Sequence, residues 1–360
     1  MADCTAAVIT EFNQPLQLQR VTLPELAPSS ILIRVDAATL CGTDTHRWQG
    51  NFATPRPFIP GHETCGTIVE MRGESRDILG EPLKLGDRII STYPSCGHCY
   101  YCTVLHQVAL CRSVKLFGDS PPEALLGGTA EYHHFPAGGT RIRVPDEVPP
   151  HLAASAACAL RTVMNGYENL GPLHSDESVL ILGSGPLGLY ALAVALDRGA
   201  QRVLMIGAPE ARLAVARAWG ADGVLDLDAV TNLDDRTDWV LEHTNGRGAD
   251  VVFQCAVTSV LPEALAMVRP GGRVVSIGVG GGPTTLSPTV FFKQVRISAV
   301  AMAEPRHFLQ AIDFLATRRK DFDFEQMISG RYSLAETSLA LARMASFEEV
   351  KPVILPQSKA

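Results

Sequence analysis

The segment VLILGSGPLGLYALAVALDRG, residues 179–199, is the strongest indication of fold in this chain. It begins with a short, continuously apolar run that is typical of a buried strand. It then passes through a glycine-rich turn into an Ala- and Leu-rich helix. Pro186 falls in the first turn of that helix, where a missing N–H does no harm. The segment therefore predicts a strand, a tight turn and a helix in direct succession.

The sequence that follows continues this alternation. The helical segment PEARLAVARAWG is surrounded by the strand-like runs RVLMIG, GVLDL, DVVFQC and RVVSIG. Such alternation predicts a parallel sheet with helices on both faces. We therefore expect an α/β protein with a doubly wound parallel sheet of the Rossmann type over residues 151–295. The next run, VRISAVAM, either extends this sheet or leads out of it.

The turn itself matches the pattern G-x-G-x-x-G. Its residues are Gly183, Ser184, Gly185, Pro186, Leu187 and Gly188. The first glycine permits the tight turn, the second lets the backbone approach a pyrophosphate, and the third lets helix and strand pack closely. The helix N-terminus adds free N–H groups and partial positive charge. We interpret the turn as an NAD or NADP site; a plain β–α turn is the competing interpretation.

The choice between NAD and NADP stays open. An acidic residue at the end of the second strand would hold the ribose 2′-hydroxyl of NAD, but Gly207 stands there. The missing carboxylate removes a repulsion against the 2′-phosphate of NADP. Arg212 either pairs with that phosphate or lies along the adenosine of NAD. We therefore expect the site to tolerate both cofactors.

The first 150 residues have a different texture, rich in alternating strand-like runs and turns. Within them, four cysteines fall in a 16-residue window: Cys96, Cys99, Cys102 and Cys111. Four thiolates on one tight loop match a closed, tetrahedral zinc site. An iron–sulfur cluster is the main competing interpretation. Disulfides are disfavoured, because the cysteines are too closely spaced for an ordinary staple framework.

A second set of metal-type residues precedes this loop. Cys41 and His62 both lie at strand–turn junctions, with Asp44 and Glu63 beside them. Asp44 is placed to accept a hydrogen bond from the second ring nitrogen of His62. Cys158 is our candidate for a third strong ligand; a buried apolar thiol on an Ala-rich helix is the alternative. A thiolate and imidazole set of this kind suggests a zinc ion with one open position, as in catalytic sites.

Composition excludes several classes of protein. The net charge is -7 and no basic run marks a nucleic-acid surface. No stretch approaches the ~20 apolar residues of a membrane helix, and the N-terminus lacks a signal pattern. We expect a cytoplasmic protein that acts on a small molecule, with neither nucleic acid nor membrane as a partner.

Together these motifs resemble those of the zinc-dependent medium-chain dehydrogenases, the alcohol, polyol and threonine dehydrogenase group. The resemblance spans nearly the whole chain. It rests on CGTDTH at 41–46, GHE at 61–63, the four-cysteine loop, GGTAEY, Cys158 with Thr162, GSGPLG and a closing Lys-led strand. It implies a β-rich GroES-like catalytic domain, formed by residues 1–150 and 296–360, beside the Rossmann domain.

The resemblance also implies an activity: interconversion of an alcohol and an aldehyde or ketone by hydride transfer with NAD(P). It implies two zinc ions per chain and a homodimer or homotetramer. Cys41, His62 and Cys158 would bind the catalytic ion, with Glu63 nearby. Thr43 would form a hydrogen bond with the substrate oxygen, and His46 would relay the proton of the substrate hydroxyl. Thr162 would lie near the nicotinamide, and Lys351 near the pyrophosphate. The chain departs from the family pattern in three places: the last cysteine gap is one residue longer than usual, Gly207 replaces the acid, and polyol-type members lack a cysteine at the place of Cys158.

Three other functions are compatible with parts of this sequence. A zinc-free quinone or enoyl reductase on the same fold would lack Cys41, His62 and the cysteine loop, so the sequence argues against it. A non-catalytic protein that binds NAD(P) and zinc would be expected to lose Thr43, His46 or a ligand. A specialised biosynthetic reductase acting on a larger carbonyl or imine shares all of these motifs and stays open.

Overall fold

The chain folds into two units, each built around its own β-sheet. A computed structural model describes residues 2–358. The first unit contains residues 2–158, 303–319 and 324–358, and the second contains residues 159–302 and 320–323. Among the described residues, no helix is both long enough and apolar enough to cross a membrane.

The strands and helices are numbered here in chain order. The strands are β1 Asp3–Val8, β2 Gln17–Thr22, β3 Ile31–Thr39, β4 Glu63–Met71, β5 Arg88–Ser91, β6 Tyr132–Phe135, β7 Arg141–Arg143, β8 Ser178–Leu182, β9 Arg202–Gly207, β10 Gly223–Asp226, β11 Ala249–Gln254, β12 Val268–Ser276, β13 Arg296–Ala299, β14 Ile328–Tyr332 and β15 Lys351–Ile354. The helices are α1 Gly42–Trp48, α2 Tyr100–Thr103, α3 Pro150–Ser155, α4 Arg161–Leu170, α5 Pro186–Asp197, α6 Glu210–Ala218, α7 Leu233–His243, α8 Leu261–Met267, α9 Thr289–Lys293, α10 Pro305–Arg318 and α11 Thr337–Ala345.

The second unit holds a six-stranded parallel sheet in the order β10-β9-β8-β11-β12-β13. Counted from the first strand of the unit, this is the order 3-2-1-4-5-6 of a doubly wound nucleotide-binding sheet. The central strands β8 and β11 are buried along their whole length, which explains why they read as continuous apolar runs. The predicted Rossmann-type sheet is confirmed.

The end of this sheet differs from the boundary that we expected between residues 295 and 296. Strand β13 pairs in parallel with β12, with Arg273 opposite Arg296 and Ser276 opposite Ala299. The run VRISAVAM therefore extends the sheet, and the second unit continues to residue 302. We also expected a boundary between residues 150 and 151. Helix α3 nevertheless belongs to the first unit, because it packs against β3 and β4.

The first unit contains a seven-stranded sheet in the order β14-β15-β3-β4-β5-β7, with β6 also paired to β3. Strand β3 lies between β15 and β4, and Thr39 near its end faces Glu63 on one side and Val353 on the other. This register brings the first residues of β4 and β15 to the same end of the sheet. A buried apolar cluster that includes Ile33 and Ile89 fixes the sheet.

One irregular segment joins α3 to α4. Residues Ala156–Leu160 form a single π-helical turn, and Cys158 lies at its centre. Such turns are uncommon and are concentrated at functional sites, because the extra residue redirects a side chain. The turn therefore marks Cys158 as more than a packed thiol.

Candidate active site and cysteine loop

Four potential metal ligands converge in the first unit. Cys41 caps the N-terminus of α1, His62 and Glu63 lie at the start of β4, and Cys158 comes from the π-helical turn. One ligand atom from each residue lies within 4.8 Å of the others. Cys41 Sγ is 3.2 Å from His62 Nε2. Two sulfur donors with an imidazole and a nearby carboxylate suit a zinc ion that keeps one position open.

The thiol of Cys41 is held by the start of its helix. The backbone N–H of Thr43 donates to Cys41 Sγ at 3.4 Å, and the N–H of Cys41 donates to Asp44 Oδ2 at 3.0 Å. These two bonds form a reciprocal cap of α1. Partial positive charge at a helix N-terminus stabilises a thiolate. The local sequence Cys-Gly-Thr-Asp therefore both starts the helix and prepares the sulfur for a metal.

Asp44 orients His62, as expected from the sequence. Its Oδ1 lies 3.1 Å from His62 Nδ1 and also accepts the backbone N–H of Gly61 at 3.1 Å. The carboxylate is fully buried. It holds a proton on Nδ1, so that Nε2, once it has lost its own proton, would present its lone pair to a metal ion beside Cys41.

The charges in this cluster stabilise the thiolate of Cys41 and the protonated imidazole of His62. A hydrogen bond from Cys158 holds the pKa of Cys41 well below its usual value, whereas the pKa of Cys158 is raised by the same bond. Burial lowers the pKa of His62, but the carboxylate of Asp44 and the thiolate of Cys41 outweigh it, so that the pKa lies well above its usual value. A metal ion at this site must therefore displace protons, and acid will weaken its binding.

Glu63 forms a buried ion pair that the sequence did not reveal. Its Oε2 contacts the ammonium of Lys351 and accepts the hydroxyl proton of Thr39; both Glu63 and Lys351 are fully buried. Burial raises the pKa of Glu63 to about 7, while Lys351 acts in the opposite direction. The other oxygen, Oε1, is buried without a hydrogen-bond partner among residues 2–358. An unsatisfied oxygen beside two sulfurs and an imidazole fits a site that receives a cation.

The expected place of Lys351 near a pyrophosphate stays a prediction. In the structure, the ammonium of Lys351 is buried against Glu63 in the first unit. Burial lowers the pKa of Lys351, and the negative charge of Glu63 more than reverses this effect. Lys351 therefore remains a cation whose partner is the carboxylate nearest to the sulfurs.

Thr43 and His46 lie one turn apart on α1, a spacing that puts both side chains on one side of the helix. Both are half-buried. The ring of His46 packs edge-on against Phe52 at 5.4 Å, and its Nδ1 lies 3.3 Å from the amide nitrogen of Asn51. Thr162, the expected neighbour of the nicotinamide, is buried on α4 in the second unit.

The four cysteines of the loop also converge. Their sulfur atoms all lie within 4.8 Å of one another, with Cys99 Sγ at 3.6 Å and Cys96 Sγ at 4.0 Å from Cys102 Sγ. A tetrahedron of sulfurs around zinc, with bonds of ~2.3 Å, has edges of ~3.8 Å. An iron–sulfur cluster would spread its thiolates over several iron atoms. The geometry therefore favours a single ion with four thiolate ligands.

A short 3₁₀ turn, Val108–Leu110, lies within the longer last gap of this loop, just before Cys111. The carboxylate of Glu304 accepts the backbone N–H groups of Val108 at 2.9 Å and Ala109 at 3.1 Å. Glu304 itself caps α10, and its own N–H donates to the fully buried His307 at 3.0 Å. Glu304 thus links the loop to a helix almost 200 residues away in the sequence. No local sequence motif predicts this contact.

The glycine-rich turn of the second unit has the geometry of a phosphate site. A Cβ on Gly188 would lie 1.8 Å from the carbonyl oxygen of Gly183, so only glycine allows α5 to pack on the turn. A Cβ on Gly185 would meet no atom within 4 Å. Gly185 caps α5, so this open space faces free N–H groups at a helix N-terminus. Pro186 and Leu187 form the first turn of that helix. The arrangement fits the diphosphate of a dinucleotide.

Two family models match the chain. Residues 27–146 match the alcohol dehydrogenase GroES-like domain, and residues 186–317 match the zinc-binding dehydrogenase domain. Among curated proteins, a 5-exo-hydroxycamphor dehydrogenase of Pseudomonas putida is 33% identical over 356 residues, which cover 97% of this chain and 98% of that protein.

Solved structures show the same architecture. An alcohol dehydrogenase from Thermotoga maritima superposes with a TM-score of 0.92 at 28% identity, covering 99% of this chain and all of that chain. A zinc-binding dehydrogenase from Sinorhizobium meliloti, solved with NADP, has a TM-score of 0.86 at 28% identity with equal coverage. The similarity therefore extends through both units.

Proposed function

Because the chain belongs to the zinc-dependent medium-chain dehydrogenase family, we propose that it oxidises secondary alcohols to ketones and catalyses the reverse reduction. The family assignment makes it an NAD(P)-dependent oxidoreductase of alcohols and carbonyl compounds that uses zinc. The observation that carries the proposal is the convergence of Cys41, His62, Glu63 and Cys158 within 4.8 Å.

The secondary alcohol is the finer part of the proposal. It is supported by the relative from Pseudomonas putida, whose name places the reacting hydroxyl on a ring carbon of camphor. Oxidation of such a carbon yields a ketone. A primary alcohol would yield an aldehyde instead, so the two classes are separated by their products.

The chemistry divides between the bound groups and the chain. Cys41, His62 and Cys158 would hold a zinc ion, which would supply Lewis-acid polarisation of the substrate oxygen, and a bound nicotinamide would supply the hydride acceptor. Thr43 accepts the proton of the substrate hydroxyl in a hydrogen bond. His46, one turn further along α1, takes up the proton and passes it to water. Its half-exposed ring and its contact with Asn51 suit a relay at the protein surface.

Glu63 and Lys351 adjust the same site. Oε1 of Glu63 has no hydrogen-bond partner among the described residues, whereas Oε2 is held by the ammonium of Lys351. The carboxylate would thus contribute negative charge to a bound cation. Asp44 keeps the imidazole of His62 in its ligand orientation.

The test is alcohol-dependent reduction of NAD and NADP, measured by absorbance. Matched pairs of secondary and primary alcohols of equal carbon number should give higher kcat/KM for the secondary member. Activity should disappear with a strong chelator and return with zinc. Equal or higher kcat/KM for the primary alcohols would refute the substrate class. Activity that survives complete removal of metal would refute the mechanism.

We also infer a cytoplasmic location and a homodimer or homotetramer. The inference on location is supported by the nine cysteines, all of which are free thiols in the described residues. Light scattering of the purified protein measures the oligomeric state, and a monomer would refute that part of the proposal.

A further inference from the structure

Arg47, a buried residue of α1, holds residues 117–119 through three hydrogen bonds. Its Nη1 donates to the carbonyl oxygens of Phe117 and Gly118, both at 3.0 Å. Its Nη2 donates to Asp119 Oδ2 at 3.2 Å. The side chain of Arg47 is only 8% exposed. The segment is therefore fixed to the helix that begins at the candidate metal cluster.

The same segment packs against a residue next to a metal ligand. Gly118 has a φ of +74°, and a Cβ on it would lie 3.1 Å from both the backbone nitrogen and the carbonyl carbon of Gly61. Gly61 immediately precedes His62, and its N–H donates to the carboxylate of Asp44, which also contacts the imidazole. Glycine at position 118 thus lets the segment lie directly against the backbone that carries His62.

Asp119 presents an open hydrogen-bond acceptor beside this backbone. Its Oδ2 is held by Arg47, whereas its Oδ1 accepts no hydrogen bond from the described residues. The side chain is 24% exposed. Burial raises the pKa of Asp119, and the positive charges of Arg47 and His62 act in the opposite direction. The carboxylate is therefore partly desolvated, lies within electrostatic reach of His62, and has its charge balanced by a buried guanidinium.

The surroundings of Asp119 indicate which group it would bind. In the proposed reaction, the substrate oxygen lies between the metal ligands and Thr43. Arg47 follows Thr43 by one turn of α1, so the two side chains are on one side of the helix. Asp119 is thus held beside both the helix and the ligand that flank the reacting oxygen. Because Arg47 already balances the carboxylate, a neutral hydroxyl suits Oδ1 better than an ammonium, which the guanidinium would repel.

We propose that Asp119, held by Arg47, is a specificity-determining residue that accepts a hydrogen bond from a second hydroxyl on the carbon next to the reacting carbon. The preferred substrates are then vicinal diols that contain a secondary alcohol. This inference rests on the proposed function, because it assumes oxidation of a secondary alcohol at the cluster that contains His62. The charge of the acceptor makes such a bond stronger than one between neutral groups.

Three substrates with one carbon skeleton test this preference in the wild-type protein. Butane-2,3-diol carries the second hydroxyl, 3-methoxybutan-2-ol keeps the second oxygen but cannot donate from it, and butan-2-ol lacks that oxygen. The kcat/KM of the diol, divided by two for its two hydroxyls, should exceed that of each other compound by about tenfold or more. The ether controls for the inductive effect of the second oxygen. Equal values for the diol and the ether would overturn the proposal.

The variant Asp119→Ala isolates the contribution of the carboxylate. The ratio of kcat/KM for the diol to kcat/KM for the ether should fall by about tenfold, because only the diol loses a hydrogen bond. A change in folding or in zinc binding would act on both substrates and leave the ratio unchanged. Asp146→Ala, which removes an exposed carboxylate of the same unit, is the matched control and should keep the wild-type ratio. Equal ratios in the two variants would overturn the role of Asp119.

The outcomes with wild-type protein also separate this inference from the proposed function. Oxidation of butan-2-ol and the diol with equal kcat/KM would leave the activity on secondary alcohols standing and refute only the role of Asp119. Oxidation of none of the three compounds, with either NAD or NADP, would refute both. A higher kcat/KM for 3-aminobutan-2-ol than for the diol would show that the carboxylate selects a cation, and would overturn the assignment of a neutral donor.

Discussion

The two clusters of cysteine ligands in this molecule are built in opposite ways. In the candidate active site the donors come from three separate elements of the first unit, and Asp44, Lys351 and Thr39 hold the non-thiol donors from behind. In the cysteine loop all four donors lie within 16 residues and are alike. The first arrangement brings together unlike donors with room for adjustment, whereas the second closes an ion completely. A reactive zinc site thus differs from a structural one both in the types of its ligands and in the residues that hold those ligands in place.

Loss of a thiol should have its largest effect on catalysis at the first cluster. Cys41→Ser should lower kcat/KM by about 10³-fold or more, because the ion loses a soft ligand that helix α1 presents. The unfolding midpoint should stay close to that of the wild type. Turnover within tenfold of wild type would contradict the assignment of Cys41.

Substitution of a cysteine by serine in the cysteine loop should lower the stability of the fold. Cys99→Ser should lower the free energy of unfolding by several kcal/mol, because the metal that closes the loop contributes directly to folding. Denaturant unfolding followed by circular dichroism measures this. Ser113→Ala, an exposed change just after the loop, is the control. Equal unfolding midpoints for Cys99→Ser and the control would count against a structural ion.

The hydrogen bond between Asp44 and His62 is expected to strengthen zinc binding at the active site. Asp44→Asn should weaken zinc binding at the active site by about 10- to 100-fold, since the neutral amide no longer fixes the Nδ1 proton of His62. Competition with a chelator should then remove one ion per chain and leave the ion of the cysteine loop. Unchanged zinc affinity would show that the contact between Asp44 and His62 has no role in metal binding.

In the cysteine loop, Glu304 has the supporting role that Asp44 has at the active site. Glu304→Gln should raise the dissociation constant of the loop ion by about tenfold, because a neutral amide accepts the two N–H groups of Val108 and Ala109 less strongly. Release of zinc to a chromogenic chelator measures the effect, and Glu147→Gln, a change of an exposed carboxylate, is the control. Equal release from both variants would mean that the tether does not support the ion.

Two buried histidines sharpen the contrast between a ligand and a core residue. His62 has Asp44 as a partner, whereas neither ring nitrogen of His133 has a hydrogen-bond partner among the described residues. Burial lowers the pKa of His133 to about 3, with His134 and Arg141 acting in the same direction. Because its pKa is depressed in the folded state, the unfolded chain binds more protons between pH 6.5 and 3. Stability should therefore fall as pH falls through this range.

His133→Phe should reduce that loss. Phenylalanine fits beside Phe117 and Phe135, whose rings already contact the imidazole. Between pH 7 and pH 5, the loss of unfolding free energy should be smaller in the variant by up to about 2 kcal/mol. Identical pH dependence in the two proteins would show that folding does not lower the pKa of His133. Both proteins keep the two metal clusters, so acid release of metal is common to them.

Local motifs predicted much of this molecule. The glycine-rich turn follows a strand and opens a helix, and the four-cysteine spacing brings its sulfurs together without reference to the rest of the chain. The contact of Asp44 with His62 was also expected, because an acid near a histidine ligand is suited to accept its second N–H group. The first two features depend on residues that are close in sequence, and the third on a known pairing of side-chain types.

Contacts set by strand register were not predictable in this way. Lys351 lies beside Glu63 because β15 and β4 flank β3, an arrangement that depends on the whole sheet. The tether from Glu304 to the loop and the packing of Ser184 against Gly207 likewise join distant segments. The pairing of β13 with β12 moved the domain boundary for the same reason. The identity of a single residue at these positions does not indicate whether its side chain contacts a distant residue or faces solvent.

The most direct test of two unlike zinc sites is the metal content of the active protein before and after partial chelation, measured beside activity and unfolding midpoint. We predict two zinc ions per chain. Removal of the first should abolish turnover and leave the unfolding midpoint almost unchanged, because the ion leaves the cluster of mixed ligands. Full activity with one ion or none, or loss of both ions in a single step with unfolding, would contradict the account.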